Sequence, residues 1–347
     1  MKSHVQSLAA TVLSVKGLRV GFTNRNQNEL ARDALQGVDF DVKAHETLAI
    51  VGESGCGKSL TAMAIAGLLP SKAVLRSGSI TLCNLEVSTF TDKQWRSQRG
   101  VNVGVVFQDP MSSLNPVLTV GEQLIEAVEA HRSMSRPEAR ARSVALLHSV
   151  KLPDPAGILK LYPHQLSGGM RQRVMIAIAI SNDPALLIAD EPTTALDATV
   201  QEEILQLLHD LQQQTGMAIV LITHDVGLVS RWAHRTMVMY AGRIVEDGIT
   251  LAMLANPTHP YTQALLQARP VRREANSPRP RLMEIPGRVP SLADKIVGCS
   301  FAPRCSRARE RCAHETPSKT STESGWVACH AAGDESPPVS LRFSESS

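Results

Sequence analysis

The segment Leu166-Ser167-Gly168-Gly169-Met170-Arg171-Gln172-Arg173 reads as a short loop running into a helix. Ser167 is a natural cap, because its side-chain oxygen can accept from a backbone N–H in the first helical turn. Gly168 and Gly169 have no Cβ and let the backbone approach a ligand closely. The first N–H groups of the helix lack partners within it, so the loop is a ready anion site. Ser-Gly-Gly is also a common turn, and most such turns bind nothing. The surroundings separate the two readings. A glycine-rich loop lies about a hundred residues earlier, and an apolar run ending in Asp-Glu follows within about twenty.

The earlier loop is Gly52-Glu53-Ser54-Gly55-Cys56-Gly57-Lys58-Ser59, which fits G-x-x-x-x-G-K-[ST]. Before it stands the near-continuous apolar run 47–51, predicted as a strand buried on both faces of a parallel sheet. An apolar helix is predicted to follow over 60–69. In this context the loop amides wrap phosphates, Lys58 places charge on the β- and γ-phosphates, and the Ser59 hydroxyl ligates Mg²⁺. The predicted ligand is a nucleoside triphosphate. Its candidate binding residues here are Gly52, Ser54, Gly55, Cys56, Gly57, Lys58, Ser59 and Thr61, with Cys56 read as a small loop residue and not a redox centre.

A second buried strand, Ala185 to Ala189, carries Asp190 and Glu191 at its C-terminal end, the edge where open parallel sheets bind ligands. Asp190 is placed to hold Mg²⁺. Glu191 is placed as the base on the attacking water, a role typically worth about 10²- to 10⁴-fold in rate. A lone Asp-Glu after a strand is more often a solvated turn, but beside a phosphate loop the catalytic reading prevails. A third apolar run, 218–223, brings His224 to the same edge, within reach of a γ-phosphate. The strand 101–107 ends at Gln108-Asp109-Pro110. Alternation predicts further strands over 13–23, 35–42 and 77–87, and one or two over 235–245 around Ala241-Gly242. Residues 122–150 have helical period with a break at Ser135-Arg136-Pro137, so helices hang between two core strands. The class is α/β.

At 347 residues and 43% hydrophobic, the chain has ample core for about two domains. A net charge of only +3 gives no basic field of the kind that draws nucleic acid. No apolar run approaches the roughly 18 residues that cross a bilayer. Met1 to Val12 lacks the apolar region of a signal peptide, which reads as a cytoplasmic protein. Of six cysteines, Cys299, Cys305, Cys312 and Cys329 crowd into the last fifth. In a reducing compartment such a cluster points to metal more than to disulfides.

With these residues in place, 12–265 resembles the ATP-binding subunit of an ABC transporter. Gly52 to Ser59 matches its Walker A motif, Gln108 its Q-loop, and Leu166 to Gln172 its signature. Leu186 to Glu191 matches Walker B, Ala195-Leu196-Asp197 the D-loop, and His224 the switch histidine. Phe22 stands where the family places an aromatic that stacks on adenine, with Phe in place of Tyr. The resemblance implies a P-loop NTPase cassette: a RecA-like core, an antiparallel β subdomain, an inserted helical subdomain at about 112–165, and a C-terminal Cys-rich extension. It further implies that two cassettes close head to tail on ATP. Ser167, Gly168 and Gly169 of one would then reach the nucleotide of the other, Asp197 of the D-loop would join the nucleotide-binding residues, and Gln108 would contact Mg²⁺.

Phe107 to Pro116, Tyr162 to Gly169, and His259-Pro260-Tyr261-Thr262 resemble the dipeptide/oligopeptide/nickel importer branch, closest to its dipeptide-importer ATPases. That resemblance implies ATP hydrolysis driving import of dipeptides, oligopeptides or a related small solute. The implied partners are a second homologous ATPase, two transmembrane permeases and an external solute-binding protein, with this subunit peripheral on the cytoplasmic face of the inner membrane and no nucleic acid bound. The contrasting reading is a soluble ABC ATPase acting on nucleic acid or ribosomes. Such proteins commonly carry two cassettes or long coiled coils, whereas this chain shows one cassette and no heptad run.

The His-Pro-Tyr motif marks the start of an extension, placed at 266–332, that opens with an Arg-, Pro- and Ser-rich linker. Its cysteines, Cys299-x5-Cys305-x6-Cys312-x16-Cys329, lack the closely spaced pairs of zinc fingers. Four thiolates can also ligate an iron–sulfur cluster, with Arg304, Arg307, Arg309 and Arg311 offsetting its negative charge. Related transporter subunits carry a similar pattern, and the resemblance implies a [4Fe–4S] cluster on these four cysteines, with zinc and free thiols as the alternatives and a structural role ahead of a redox one. A nucleic-acid-binding zinc module is opposed by the scarcity of aromatics for stacking. Residues 333–347, rich in Ser and Pro, are predicted to be disordered.

Overall fold

The computed structural model describes residues 10–23, 33–268, 284–294 and 296–332. The predicted disordered tail at 333–347, the predicted linker after residue 268 and the polar stretch 24–32 lie outside them. Strands β1 (Thr11–Phe22), β2 (Leu35–Lys43), β3 (Thr47–Val51), β4 (Ala73–Leu82), β5 (Leu85–Glu86) and β6 (Val103–Val106) come first. They are followed by β7 (Leu186–Asp190), β8 (Ala218–Thr223), β9 (Arg235–Tyr240), β10 (Arg243–Ile249), β11 (Thr320–Ser321) and β12 (Gly325–Val327).

One sheet has eight strands in the order β11-β12-β10-β9-β3-β8-β7-β6. From β9 to β6 the pairing is parallel, and from β9 outward to β11 it is antiparallel. Every residue of β3, β7 and β8 is buried, as expected of apolar runs without alternation. Leu48, Ile50, Ile188, Val220 and Ile222 face one side. There they join Leu13, Val15, Leu18 and Val20 of a second, antiparallel sheet ordered β2-β1-β4-β5. Leu187, Ala189, Ile219 and Leu221 face the other side, against Val174 and Ile176 of the helix Gly168–Ala179 and Ile204, Leu207 and Leu208 of the helix Ala198–Thr215. The nucleotide core is a three-layer sandwich.

The helical insertion comprises mainly Val120–Glu129 and Arg136–Ser149. Each begins with a capping box, Thr119 with Glu122 and Ser135 with Glu138, and the glutamates reach back to the cap N–H at 2.7 and 2.8 Å. The break at Ser135-Arg136-Pro137 is therefore the start of the second helix, with proline in its first turn where no donor is lost.

Residues near the end of the described chain add to the main sheet. Glu246, Asp247 and Gly248 of β10 pair with Val327, Trp326 and Gly325 of β12. Few apolar residues are needed because Phe301 enters a ready-made cluster with Tyr240 and Tyr261, ring centroids 5.2 Å away in each case. The turn into the helix Pro260–Gln267 is buried, so its amides need partners. Glu246 accepts from Thr258 and His259 N–H at 2.7 and 3.2 Å, and His259 Nδ1 accepts from Tyr261 N–H at 3.0 Å.

His259 is 2% exposed, and burial pushes its pKa from 6.5 down to about 3. The unfolded chain takes up a proton that the folded ring refuses, so stability falls as pH drops through that window. His259→Asn, which keeps a cap acceptor without a titrating ring, is expected to flatten the decline of melting temperature between pH 6.5 and about pH 5. An unchanged slope would assign the decline to other groups.

Candidate nucleotide site

β3, β8 and β7 lie side by side and parallel, so the Gly52 loop, His224 and the Asp190-Glu191 pair emerge on one edge. β6 is next to β7 and leads to Gln108. The loop is held tightly at its root. A Cβ on Gly52 would lie 2.3 Å from the Met239 carbonyl, and Gly57 takes φ +111° where its Cβ would meet Leu35 at 2.8 Å. Glycine is required at both. Ser54 and Gly55 are exposed at the tip. Cys56 is buried, and desolvation pushes its thiol pKa up against the opposing pull of Lys58, which accords with a packing role. Thr61 is turned inward, donating to Gly57 O at 3.0 Å.

Lys58 is buried and folds back on its own loop, donating to Gly52 O at 2.8 Å and Glu53 O at 3.1 Å. Ser59 Oγ donates to Asp190 Oδ1 at 3.1 Å. Burial raises the Asp190 pKa, the Ser59 hydrogen bond opposes that rise, and neighbouring Glu191 adds to it. A hydroxyl and a buried carboxylate side by side are an oxygen donor set suited to Mg²⁺.

Glu191 takes a left-handed backbone, φ +47°, which turns its side chain back over the edge. Its Oε2 accepts from Gln108 Nε2 at 3.0 Å and Thr194 Oγ1 at 2.9 Å, and His224 Nδ1 lies 3.4 Å away. Gln108, Glu191 and His224, read from three separate motifs, thus share one carboxylate. Thr194 was missed by sequence reasoning; its position three residues after Glu191 in a turn was the available signal.

The other predicted residues sit elsewhere. Ser167 caps the helix Gly168–Ala179, its Oγ accepting from Met170 N–H at 3.3 Å. A Cβ on Gly168 or Gly169 would meet Leu196 at 3.3 Å or Val200 at 2.8 Å, so the signature packs on the D-loop region. Asp197 caps the helix Ala198–Thr215 through Val200 N–H at 3.0 Å. Phe22 ends β1, opposite Ala73 of β4, and packs half-buried against the core shared by the two sheets.

The four late cysteines are drawn into mutual electrostatic range. Burial raises the pKa of Cys299, Cys305 and Cys329, with Cys312 among the neighbours that add to each rise. Backbone N–H groups of Arg307, Arg309 and Ala331 donate to the sulfurs of Cys305, Cys312 and Cys329, each at 3.4 Å. Among the described residues, no three or more His, Cys, Asp or Glu side chains converge as a site for one metal ion. The iron–sulfur and zinc expectations therefore find no metal-ion site here.

Residues 35–194 match the family described as ABC transporter, and 245–312 match "Oligopeptide/dipeptide transporter, C-terminal region". The dipeptide transport ATP-binding protein DppD of Escherichia coli K12 is 46% identical over 325 residues, covering 93% of this chain and 98% of that protein. The chain belongs to the ABC transporter family. The oligopeptide transport ATP-binding protein AppD of Bacillus subtilis is similar over 91% of this chain and 95% of its own length, at 45% identity. Among solved ABC structures, the dimeric post-hydrolysis state of the cassette MJ0796 bound to ADP and Pi aligns with TM-score 0.61 and 30% identity, over 69% of this chain and 98% of that one. The match agrees with the three-layer core built above, and an ABC ATPase site accounts for the carboxylate at its edge.

Glu191→Gln keeps the Gln108 and Thr194 contacts but removes the ionisable carboxylate. Steady-state hydrolysis is expected to fall at least about 10²-fold, with Mg·ATP affinity retained; undiminished turnover would exclude Glu191 from that role.

Proposed function

We propose that the chain is the ATP-hydrolysing motor subunit of a peptide importer, peripheral on the cytoplasmic face of the membrane. The observation that carries the chemistry is the convergence of Gln108, Thr194 and His224 on Glu191 beside Ser59 and Asp190. Lys58 releases the loop carbonyls and turns to the phosphates when ATP binds. Ser59, Asp190 and Gln108 are the residues that would hold Mg²⁺, which supplies charge neutralisation between the β- and γ-phosphates when bound. Glu191 orients the attacking water and accepts its proton, and His224, 61% exposed, is open to a γ-phosphate. Among the described residues no helix is long and apolar enough to cross a membrane.

Within one chain the signature glycines face Leu196 and Val200. This favours their use in trans, with Ser167, Gly168, Gly169 and Asp197 closing on ATP held by a second cassette, which we assign to a different, homologous ATPase. Two permeases and an external solute-binding protein complete the complex. Peptide as cargo rests on the similarity to peptide-transport relatives and to the oligopeptide/dipeptide C-terminal region. In domain terms, 12–265 acts as the cassette, with its helical part at about 112–165, and 266–332 as the extension.

For the four-cysteine lobe, a [4Fe–4S] cluster is the finer reading over zinc. One zinc ion needs all four sulfurs near 2.3 Å from a single point, whereas a cluster spreads its ligands over separate irons. N–H donors aimed at sulfurs also suit a cluster. Cys299, Cys305, Cys312 and Cys329 would hold it as a staple. Iron and acid-labile sulfide are expected in anaerobically purified protein, and their joint absence would end this reading.

The motor assignment is tested by capture from detergent-solubilised membranes with tagged Glu191→Gln chain and Mg·ATP. Two multi-span proteins and a second ATPase are expected, with the ATP-dependent ATPase partner lost on adding Ser167→Arg. Recovery of soluble partners or nucleic acid alone would overturn it.

A further inference from the structure

Arg304 belongs to the extension, next to Cys305, yet its guanidinium closes on Glu53 of the phosphate loop. Nη1 donates to Oε2 at 2.7 Å and Nη2 to Oε1 at 3.0 Å. The remaining donor directions are also engaged: Nε on Pro286 O at 2.7 Å, Nη2 on Ile285 O at 3.2 Å and Nη1 on the Tyr240 hydroxyl at 3.3 Å. A guanidinium has five N–H donors in a rigid fork, and here each has an acceptor. The Arg304 side chain is 4% exposed, and the Glu53 carboxylate raises its pKa further, so the charge is permanent. Such a fork fixes the orientation of the carboxylate as well as its position.

Tyr261 makes the second contact, from a different element. Its hydroxyl accepts from Glu53 N–H at 2.8 Å. The carbonyl of that same peptide unit, Gly52 O, accepts from Lys58 Nζ at 2.8 Å. One peptide plane therefore joins the tyrosine to the lysine that serves the phosphates. Tyr261 cannot drift, being fully buried against Tyr240 and Phe301 with ring centroids at 4.7 and 5.2 Å. Glu53 is thus gripped twice, at its side chain and at its backbone, by residues that lie C-terminal to all the nucleotide motifs.

We propose that Arg304 and Tyr261 are positioning residues for the phosphate loop, so that nucleotide affinity is set in part by residues that follow the nucleotide motifs, Tyr261 at the end of the cassette and Arg304 in the extension. The proposal rests on the ATP reading of that loop. A loop held in one shape by outside residues meets its phosphates without first being ordered. Its contacts are made alike in the ground and transition states, so losing the grip raises KM for ATP more than it lowers kcat.

The test uses the full-length chain, Mg²⁺ and a fluorescent ATP analogue, with melting temperature followed in parallel. Arg304→Gln is expected to weaken binding about tenfold and Tyr261→Phe, which keeps the ring packing, about threefold, since small misplacements of binding groups are expensive. Glu53→Gln combined with Arg304→Gln is expected to be no weaker than the more affected single variant, because both act through one pair. Should Arg304→Gln fail to fold, Tyr261→Phe decides alone. Wild-type affinity in the folded variants, or losses that multiply in the double variant, would overturn the proposal while leaving the ATP reading intact. A wild-type chain that bound no nucleotide would overturn both.

Discussion

Strands β3, β8 and β7 have no polar face, and so they can exist only where both faces are covered. One face is closed by the antiparallel sheet through Leu13, Val15, Leu18 and Val20, the other by the helices that follow Ser167 and Asp197. This double burial brings the strand ends together without help from the site itself. A phosphate loop, a carboxylate pair and a histidine then share an edge because their strands are hydrogen-bonded neighbours, each in register over its length.

At that edge the electrostatics are set by what surrounds two carboxylates. Asp190 is buried and its charge is disfavoured by desolvation, a tension that a divalent cation would relieve. Glu191 is held by neutral and ionisable donors on one oxygen, and its left-handed backbone is of a kind costing about 1–3 kcal/mol that persists only when surroundings over-determine it. The Ile222 carbonyl at 2.9 Å from Glu191 N and the contacts from Gln108 and Thr194 do that. Strain and hydrogen bonding together aim the side chain where water and phosphate would meet.

Residues late in the chain pack back onto the cassette core. They continue the main sheet through β12, place Phe301 among the aromatics of β9 and the helix Pro260–Gln267, and reach the phosphate loop through Arg304. Cys305 is thus the sequence neighbour of an arginine that contacts the glycine loop at Glu53.

Most of the core was legible because its strands are pure apolar runs with a single structural meaning in this context: 47–51 and 218–223 matched the structure at both ends. The sequence motifs also marked the glycine loop, Asp190-Glu191, Gln108 and His224 as lying at strand ends, because each needs particular residue types at fixed spacing, and the structure places them on one edge. Other features were closed to that kind of reading. The helix Ala198–Thr215 escaped notice, though Asp197 and Val200 mark its start. The 77–87 alternation resolved into two strands, since Cys83 and Asn84 adopt left-handed turns. What the chain by itself determined is the local chemistry and the identity of the buried strands, because burial periodicity and motif spacing are properties of consecutive residues. Only the tertiary structure decided that Gln108 and His224 meet on Glu191, that Gly325–Val327 joins β10, and that Arg304 grips Glu53. Those pairings join residues up to 251 positions apart, and no local pattern encodes which distant polar group will meet a buried charge.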